Sequence, residues 1–174
     1  MVHADYSRFS SESKAELYDT MGSNVEALVD GQTNWVANLA NASSIIWHGL
    51  KSLPAPSNDI NWAGFYVVDP KKPQQLILGP FHGQVACQEI PLGKGVCGVA
   101  AKEQKTQLVK NVEEFPGHIA CDGVTKSEIV VPIVLDGKLF GVIDIDCASL
   151  EGFDEVDQQG LEKIALVLAK SCEW

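Results

Sequence analysis

The chain has 174 residues and a mass of 18.8 kDa, which is the length of roughly one domain. Hydrophobic residues make up 45% of it and charged residues 21%, so a disordered or collagen-like chain is excluded. The formal net charge of −10 repels phosphate backbones and anionic lipids, which argues against nucleic acid and membrane surfaces as partners.

Apolar runs and cysteine usage bear on the compartment. The longest apolar stretches, such as residues 129–135, are far shorter than the roughly 18 residues that a membrane span needs. The first residues are polar and do not resemble a secretory signal, so we expect a cytoplasmic protein. Five cysteines are an odd number and do not indicate a secreted disulfide framework. They remain candidates for structural thiols, metal ligands or redox groups.

Two helices are predicted near the N-terminus, after a flexible tail of about ten residues. Ser13 and Glu16 have capping-box spacing, and an apolar stripe from Leu17 to Leu28 follows until Asp30-Gly31 ends it. A second apolar stripe runs from Trp35 to Leu53. Residues 54–59 have the composition of a loop.

The period then changes to that of strands. Strands are predicted at 60–69, 75–79, 84–90, 106–110, 128–135 and 138–147, with a short helix at 96–104 and a last helix capped by Asp154. A loop covers 111–127, and a loop this long is usually functional. The order predicts an α+β domain over 1–174, an antiparallel sheet with the terminal helices on one face and a pocket on the other.

Three cysteines and one histidine lie in or beside the irregular regions: Cys87, Cys97, His118 and Cys121. A thiol on a loop is accessible to substrates in a way that a core thiol is not. Since free cysteines are often small buried hydrophobes, burial is an equal alternative for each of them. For Cys147, in a strand, and Cys172, in the last helix, we favour a structural role.

An acidic pair is predicted on the pocket face of the sheet. Asp144 and Asp146 stand two residues apart in a strand, so they point to one face, and Ile143 and Ile145 point to the other. Strand centres disfavour aspartate, which favours a functional role over a merely solvated face. Glu128, at the start of the neighbouring strand, is a candidate third member.

Six segments resemble one family in the right order over roughly residues 17–172. They are DINWAGFY (59–66), LILGPFHGQVAC (76–87), GKGVCG (93–98), GHIACDG (117–123), SEIVVPI (127–133) and GVIDID (141–146). The chain resembles the free methionine-R-sulfoxide reductases, small enzymes on the GAF fold. The resemblance implies an oxidoreductase that reduces the R epimer of free methionine sulfoxide through a cysteine sulfenic acid and an intramolecular disulfide.

The resemblance also implies residue roles. Cys121 matches the family's nucleophile, Cys87 the cysteine that resolves the sulfenic acid, and Cys97 a third cysteine of less settled role. The substrate-binding positions matched are Glu128, Asp144, Asp146, Trp62 and Tyr66.

Carboxylates crowded together raise one another's pKa, so one of them can protonate the sulfoxide oxygen. No cofactor and no metal are expected. The expected partners are free methionine sulfoxide and a thioredoxin-like dithiol reductant, and a homodimer is left open.

Two alternatives remain at this point. GAF-type domains also bind small ligands without chemistry, although such a module does not need three thiols and an acidic cluster around one pocket. Cys87, Cys97, His118 and Cys121 are soft ligands that suit tetrahedral zinc, although their spacing is unlike that of common zinc knuckles.

The register of the last hairpin poses a conflict. If Asp136-Gly137 is a two-residue turn, opposed residues sum to 273, and Glu128 falls opposite Ile145, on the wrong face for the pocket. A one-residue slip would move Glu128 to the pocket face. We therefore predict a β-bulge near Pro132 and Gly141, or a longer turn, or a Glu128 that lies before the ladder begins.

Overall fold

The computed structural model describes residue 6, residues 8–118 and residues 123–174. Its elements in chain order are α1 (Lys14–Val29), α2 (Trp35–Lys51), β1 (Ile60–Val68), β2 (Gln75–Gly83), β3 (Glu89–Pro91), α3 (Gly95–Glu103), β4 (Gln107–Val109), a 3-10 turn (Val112–Glu114), β5 (Ser127–Leu135), β6 (Lys138–Cys147) and α4 (Glu155–Ser171). The predicted order of helices and strands is confirmed.

The strands form one six-stranded sheet in the order β3-β2-β1-β6-β5-β4, and every pairing is antiparallel. Helices α2 and α4 pack on one face of this sheet, and α1 packs across both of them. Helix α3 lies on the opposite face, against β5 and β6. The predicted α+β class is confirmed, with helices on one side and room for a pocket on the other.

Local capping explains where the terminal helices begin. The side chain of Ser13 accepts a hydrogen bond from the backbone N–H of Glu16 at the start of α1. Asp154 accepts from the backbone at the start of α4, and Asp157 bonds back to the backbone N–H of Asp154 to complete a capping box. These bonds satisfy N–H groups that have no partner within the helix.

Two strand boundaries differ from the prediction. Strand β2 continues past the predicted end at Gly79 to Gly83, and residues 84–88 are loop rather than strand. Proline was expected to stop the strand, but Pro80 lies where the β1–β2 register shifts between Gly64 and Tyr66. A bulge tolerates a residue that cannot donate a ladder hydrogen bond.

The two faces of the sheet carry separate cores. Alternate residues such as Phe65, Ile143 and Ile145 pack under the helices, and each is fully buried. Their neighbours Tyr66 and Val142 pack on the other face, against α3. Two-residue periodicity therefore divides each central strand between a helix-covered core and the floor of a pocket.

The predicted bulge in the last hairpin is confirmed. Leu135 pairs with Lys138 across a two-residue turn, but the register shifts between Ile133 and Val134, beyond which opposed residues sum to 274. The extra residue is Phe140, which lies beside Gly141. A side chain at Gly141 would collide with the backbone carbonyl of Tyr66, so glycine permits β1 to approach there.

Two further findings concern the chain termini and membranes. Tyr6 and Phe9, in the segment predicted to be a flexible tail, are partly buried against the helix-covered core. Within the described residues, no helix has the length and apolar character needed to cross a membrane.

Candidate functional site

A pocket opens on the face of the sheet that carries α3. Its floor is formed by side chains of β1, β5 and β6, and its rim by the loop after β2, the N-terminus of α3 and the segment before β5. The predicted site residues that line it are Trp62, Tyr66, Cys87, Cys97, Glu128, Asp144 and Asp146. Seven of the eight predicted residues therefore meet in one cavity. The eighth, Cys121, lies outside the described residues.

Aromatic rings of β1 make one wall. The rings of Trp62 and Tyr66 stack with centroids 5.7 Å apart, and Phe81 of β2 stacks on Trp62 at 5.1 Å. Gly64 separates the two ring-bearing residues on this face. A side chain there would meet the ring of Trp62 at 2.7 Å, so glycine leaves the indole room to lie across the strand.

Carboxylates make the opposite part of the floor. The bulge places Glu128 opposite Asp146, while Asp144 lies opposite Val130 and points to the same face. Glu128 and Asp144 are each 6% exposed, and Asp146 is half-buried. His118 approaches from the rim, with Nε2 3.8 Å from Oε2 of Glu128.

Burial determines the protonation of the acidic side chains and the thiol on this floor. It raises the pKa of Asp144 to about 6, because the buried carboxylate loses its hydration, and contacts with Cys97 and Glu128 only partly offset this. Burial also raises the pKa of the Cys97 thiol well above its usual value, and the charges of Asp144 and Glu128 act in the same direction. Cys97 is therefore a neutral thiol at neutral pH, whereas Asp144 exchanges its proton close to physiological pH.

Two buried polar atoms of the pocket lack a hydrogen-bond partner among the described residues. They are Oδ1 of Asp144 and Nε1 of Trp62. An unsatisfied buried polar atom destabilises a fold by about 1–3 kcal/mol, and native proteins contain few of them. Both residues line the same cavity, so a bound ligand can satisfy both atoms.

The cysteines differ in oxidation state. Cys87 is disulfide-bonded, whereas Cys97, Cys147 and Cys172 are free. Because Cys87 is already in a disulfide, it cannot also bind zinc as a thiolate. In this oxidation state, the four-residue zinc site suggested by the sequence therefore cannot form. The hydroxyl of Tyr66 donates to the backbone carbonyl of Cys87 at 3.1 Å and ties this loop to the floor.

The predicted structural cysteines lie away from the pocket. Cys147 is fully buried in the helix-covered core, with its Sγ 3.4 Å from the carbonyl oxygen of Pro56. Cys172 follows α4, and the Nδ2 of Asn38 donates to its sulfur at 3.5 Å.

Sequence reasoning did not assign the rim residues to the site. Lys94 and His118 line the pocket but were absent from the predicted binding residues. Lys94 is the N-cap residue of α3, whose first residues, Gly95 to Cys97, also line the cavity. The positive end of this helix therefore faces the pocket. The segment Gly93-Lys94-Gly95 belongs to one of the six segments that carry the resemblance, but no binding role was assigned to it.

Comparisons with known proteins place the chain in a family. The sequence model of the GAF domain family matches residues 55–170. The free methionine-R-sulfoxide reductase of Saccharomyces cerevisiae is 58% identical over 98% of this chain and 94% of its own length. The enzyme of the same name from Escherichia coli is 41% identical over 90% of this chain and 89% of its own length.

A solved structure gives the same result for the fold. The free methionine-R-sulfoxide reductase of Neisseria meningitidis, in complex with its substrate, superimposes with a TM-score of 0.84. It is 41% identical, and the match covers 94% of this chain and 93% of that chain.

Proposed function

The chain belongs to the free methionine-R-sulfoxide reductase family, and we propose that it reduces the R epimer of free methionine sulfoxide to methionine. One observation carries the proposal. A buried carboxyl with a pKa of about 6 and an unpaired oxygen, Asp144, lines the same cavity as the disulfide-bonded Cys87. A proton donor and a redox-active sulfur are the two groups that thiol-dependent sulfoxide reduction requires.

The pocket suits the two ends of a free amino acid. The aromatic rings of Trp62 and Tyr66 contact the methyl group at the sulfur, and the indole N–H of Trp62 is a donor for a substrate oxygen. The carboxylates of Glu128 and Asp146 attract the ammonium. Lys94 and the N-terminus of α3 attract the α-carboxylate. Methionine within a peptide has neither free charge, so the charged groups of the floor and the rim together select the free amino acid.

The reaction proceeds in three steps. The Cys121 thiolate attacks the sulfoxide sulfur, and Asp144 with its acidic neighbours supplies one proton to the sulfoxide oxygen. The oxygen then passes as a hydroxyl group to the sulfur of Cys121 while the bond between the two sulfurs breaks, so methionine leaves and Cys121 becomes a sulfenic acid. The Cys87 thiol then attacks the sulfenic sulfur and expels water, which forms a disulfide. An external dithiol finally reduces that disulfide by exchange and is itself oxidised. Two electrons pass from the dithiol to the substrate, and no metal takes part.

The assignment of Cys121 as the partner of Cys87 has support from the other thiols. Cys97, Cys147 and Cys172 are free in the structure, so none of these three is the partner. The raised pKa of the Cys97 thiol also argues against Cys97 as the nucleophile, because the thiolate is the reactive form. Cys97 acts as a hydrogen-bonding neighbour of Asp144 in this mechanism.

The cellular setting follows from this chemistry. The reductant is a thioredoxin-like dithiol protein, and a reducing cytoplasm supplies it. The functional unit is the single domain 1–174, either alone or as a homodimer.

The decisive experiment compares four substrates at equal concentration with dithiothreitol as the reductant. They are the R and S epimers of free methionine sulfoxide and a blocked peptide that carries each epimer. We expect turnover of the free R epimer alone. Binding of the free R epimer without turnover would instead support a ligand-binding GAF module, and equal turnover of the peptide would contradict the role of the charged rim.

A further inference from the structure

We propose that the floor of the pocket is an inhibitory site for Zn²⁺, formed by Sγ of Cys97 and one carboxylate oxygen each from Glu128 and Asp144. These three atoms lie within 4.8 Å of one another. All three residues are buried, with exposed fractions of 4% for Cys97 and 6% for each carboxyl residue. Two carboxyl groups and a thiol gathered below the protein surface are uncommon, because a carboxylate is rarely buried unless it is paired.

A second observation points to a ligand at this place. Oδ1 of Asp144 is buried and has no hydrogen-bond partner among the described residues. Lys94 is the only lysine or arginine among the described residues that line the pocket, and it lies exposed at the rim. A dication at the floor would supply the missing partner and compensate the negative charge.

The donor set suits zinc. One thiolate and two carboxylates are ligands that Zn²⁺ accepts at about 2.0–2.3 Å, which puts neighbouring ligand atoms of a tetrahedral site about 3.5 Å apart. Since the three atoms lie within 4.8 Å of one another, they need to approach by at most about 1.3 Å, which rotation of the Glu128 and Asp144 side chains would supply. His118, whose Nε2 lies 3.8 Å from Oε2 of Glu128, lies near enough to contribute the fourth ligand.

Binding exchanges a proton for the metal and involves no redox change. Cys97 loses its thiol proton when it binds the metal, and this proton passes to solvent. Affinity for Zn²⁺ should therefore increase as the pH rises. This set differs from the zinc ligands considered from the sequence, because it uses neither Cys87 nor Cys121 and is compatible with the disulfide.

Zinc and the substrate would occupy the same space. The substrate ammonium and the sulfoxide oxygen are assigned to these carboxylates, so a bound Zn²⁺ excludes the substrate. This competition rests on the proposed function, whereas the metal site itself rests only on the geometry of the floor.

The first experiment measures Zn²⁺ binding to the oxidised protein by competition with a chromophoric chelator. The disulfide form is used because its Cys87 cannot bind the metal. We expect one equivalent of Zn²⁺, with affinity at least tenfold weaker in Cys97→Ser, Glu128→Gln and Asp144→Asn. Cys172→Ser is the matched control, because it removes a thiol outside the pocket, and it should bind as the wild type does.

A second measurement does not depend on the folding of the pocket variants, because it uses the wild-type protein. Cd²⁺ added to the oxidised wild type should give the ultraviolet charge-transfer absorbance of a cadmium–thiolate bond, and Cys172→Ser should retain it. Absence of this absorbance from the wild type, or unchanged Zn²⁺ affinity in a folded Cys97→Ser variant, would overturn the site.

Competition is tested with the same oxidised protein, whose proposed nucleophile Cys121 is held in the disulfide, so that it cannot consume the substrate. Saturating free methionine sulfoxide should weaken Zn²⁺ binding at least tenfold. Tight Zn²⁺ binding that methionine sulfoxide leaves unchanged would refute the shared site. Turnover with dithiothreitol in metal-free buffer tests the proposed function separately, so failure of one proposal is not mistaken for failure of the other.

Discussion

Each side of the sheet buries an aspartate, and the two carboxyl groups differ in their hydrogen bonding. Asp157, in α4 on the helix side, accepts hydrogen bonds from Lys14 at 2.7 Å, from the hydroxyl of Tyr18 at 2.9 Å and from the backbone of Asp154. Asp144, in β6 on the pocket side, keeps one oxygen unpaired beside a neutral thiol.

The difference separates structural from functional burial of charge. The hydrogen bonds around Asp157 join α1 to α4 and offset part of the desolvation of its carboxylate, although burial still raises its pKa. Around Asp144 only Cys97 and Glu128 offset the desolvation, so its carboxyl holds a proton up to a pKa of about 6 and its unpaired oxygen remains available to a ligand. Helix-side changes should therefore reduce stability, and pocket-side changes should reduce activity.

The largest effect is expected from the thiols. Cys121→Ser should lower turnover by about 10³-fold or more, because a hydroxyl is a far weaker nucleophile than a thiolate. Cys172→Ser, on the helix side, should retain wild-type turnover. Steady-state assays with dithiothreitol measure both, and a fully active Cys121→Ser variant would remove this residue from the mechanism.

Next in size is the loss of the helix-side carboxylate. Asp157→Asn should reduce the free energy of unfolding by about 3 kcal/mol, because it disrupts a buried ion pair. Its rate per folded molecule should be unchanged. Urea denaturation and turnover below the transition give the two numbers, and a drop in rate without loss of stability would break the comparison.

The pocket carboxylates should show the reverse pattern. Asp144→Asn, Glu128→Gln and Asp146→Asn keep the side-chain shape but remove acidity, so each should lower turnover by about 10²-fold where it contributes to proton transfer. The free energy of unfolding of Asp144→Asn at pH 7 should equal or exceed that of the wild type. Wild-type rates in all three variants would show that these carboxyl groups take no part in catalysis.

The smallest effect concerns pH. Burial raises the pKa of Asp144 from its ordinary value of 3.8 to about 6, so between these values the folded state binds more protons than the unfolded state. The contribution of Asp144 to stability should therefore fall as the pH rises from about 4 to about 6. Denaturation series of wild type and Asp144→Asn should show the variant gaining relative stability across that window. A constant difference would contradict the shifted pKa.

Most of the fold was accessible from the sequence because it depends on local rules. Apolar spacing predicted α1, α2 and α4, and the capping residues Ser13 and Asp154 predicted where two of them begin. Alternation in β6 correctly separated Ile143 and Ile145 from Asp144. The misplaced boundaries at β2 and β3 arose where Pro80 sits in a bulge that depends on pairing with β1.

The sequence by itself determined the α+β class, because the class depends on residue type and period. It also determined the family and seven residues that share the pocket, because six of its segments resemble the family's motifs. It also predicted a bulge near Pro132 and Gly141, a longer turn or a Glu128 that lies before the ladder, since Glu128 had to reach the pocket face. Only the tertiary structure decided that Phe140 is the extra residue, that Lys94 and His118 reach the rim, and that an oxygen of Asp144 stays unpaired. These features depend on contacts between elements that lie far apart in the chain, and no local pattern encodes such contacts.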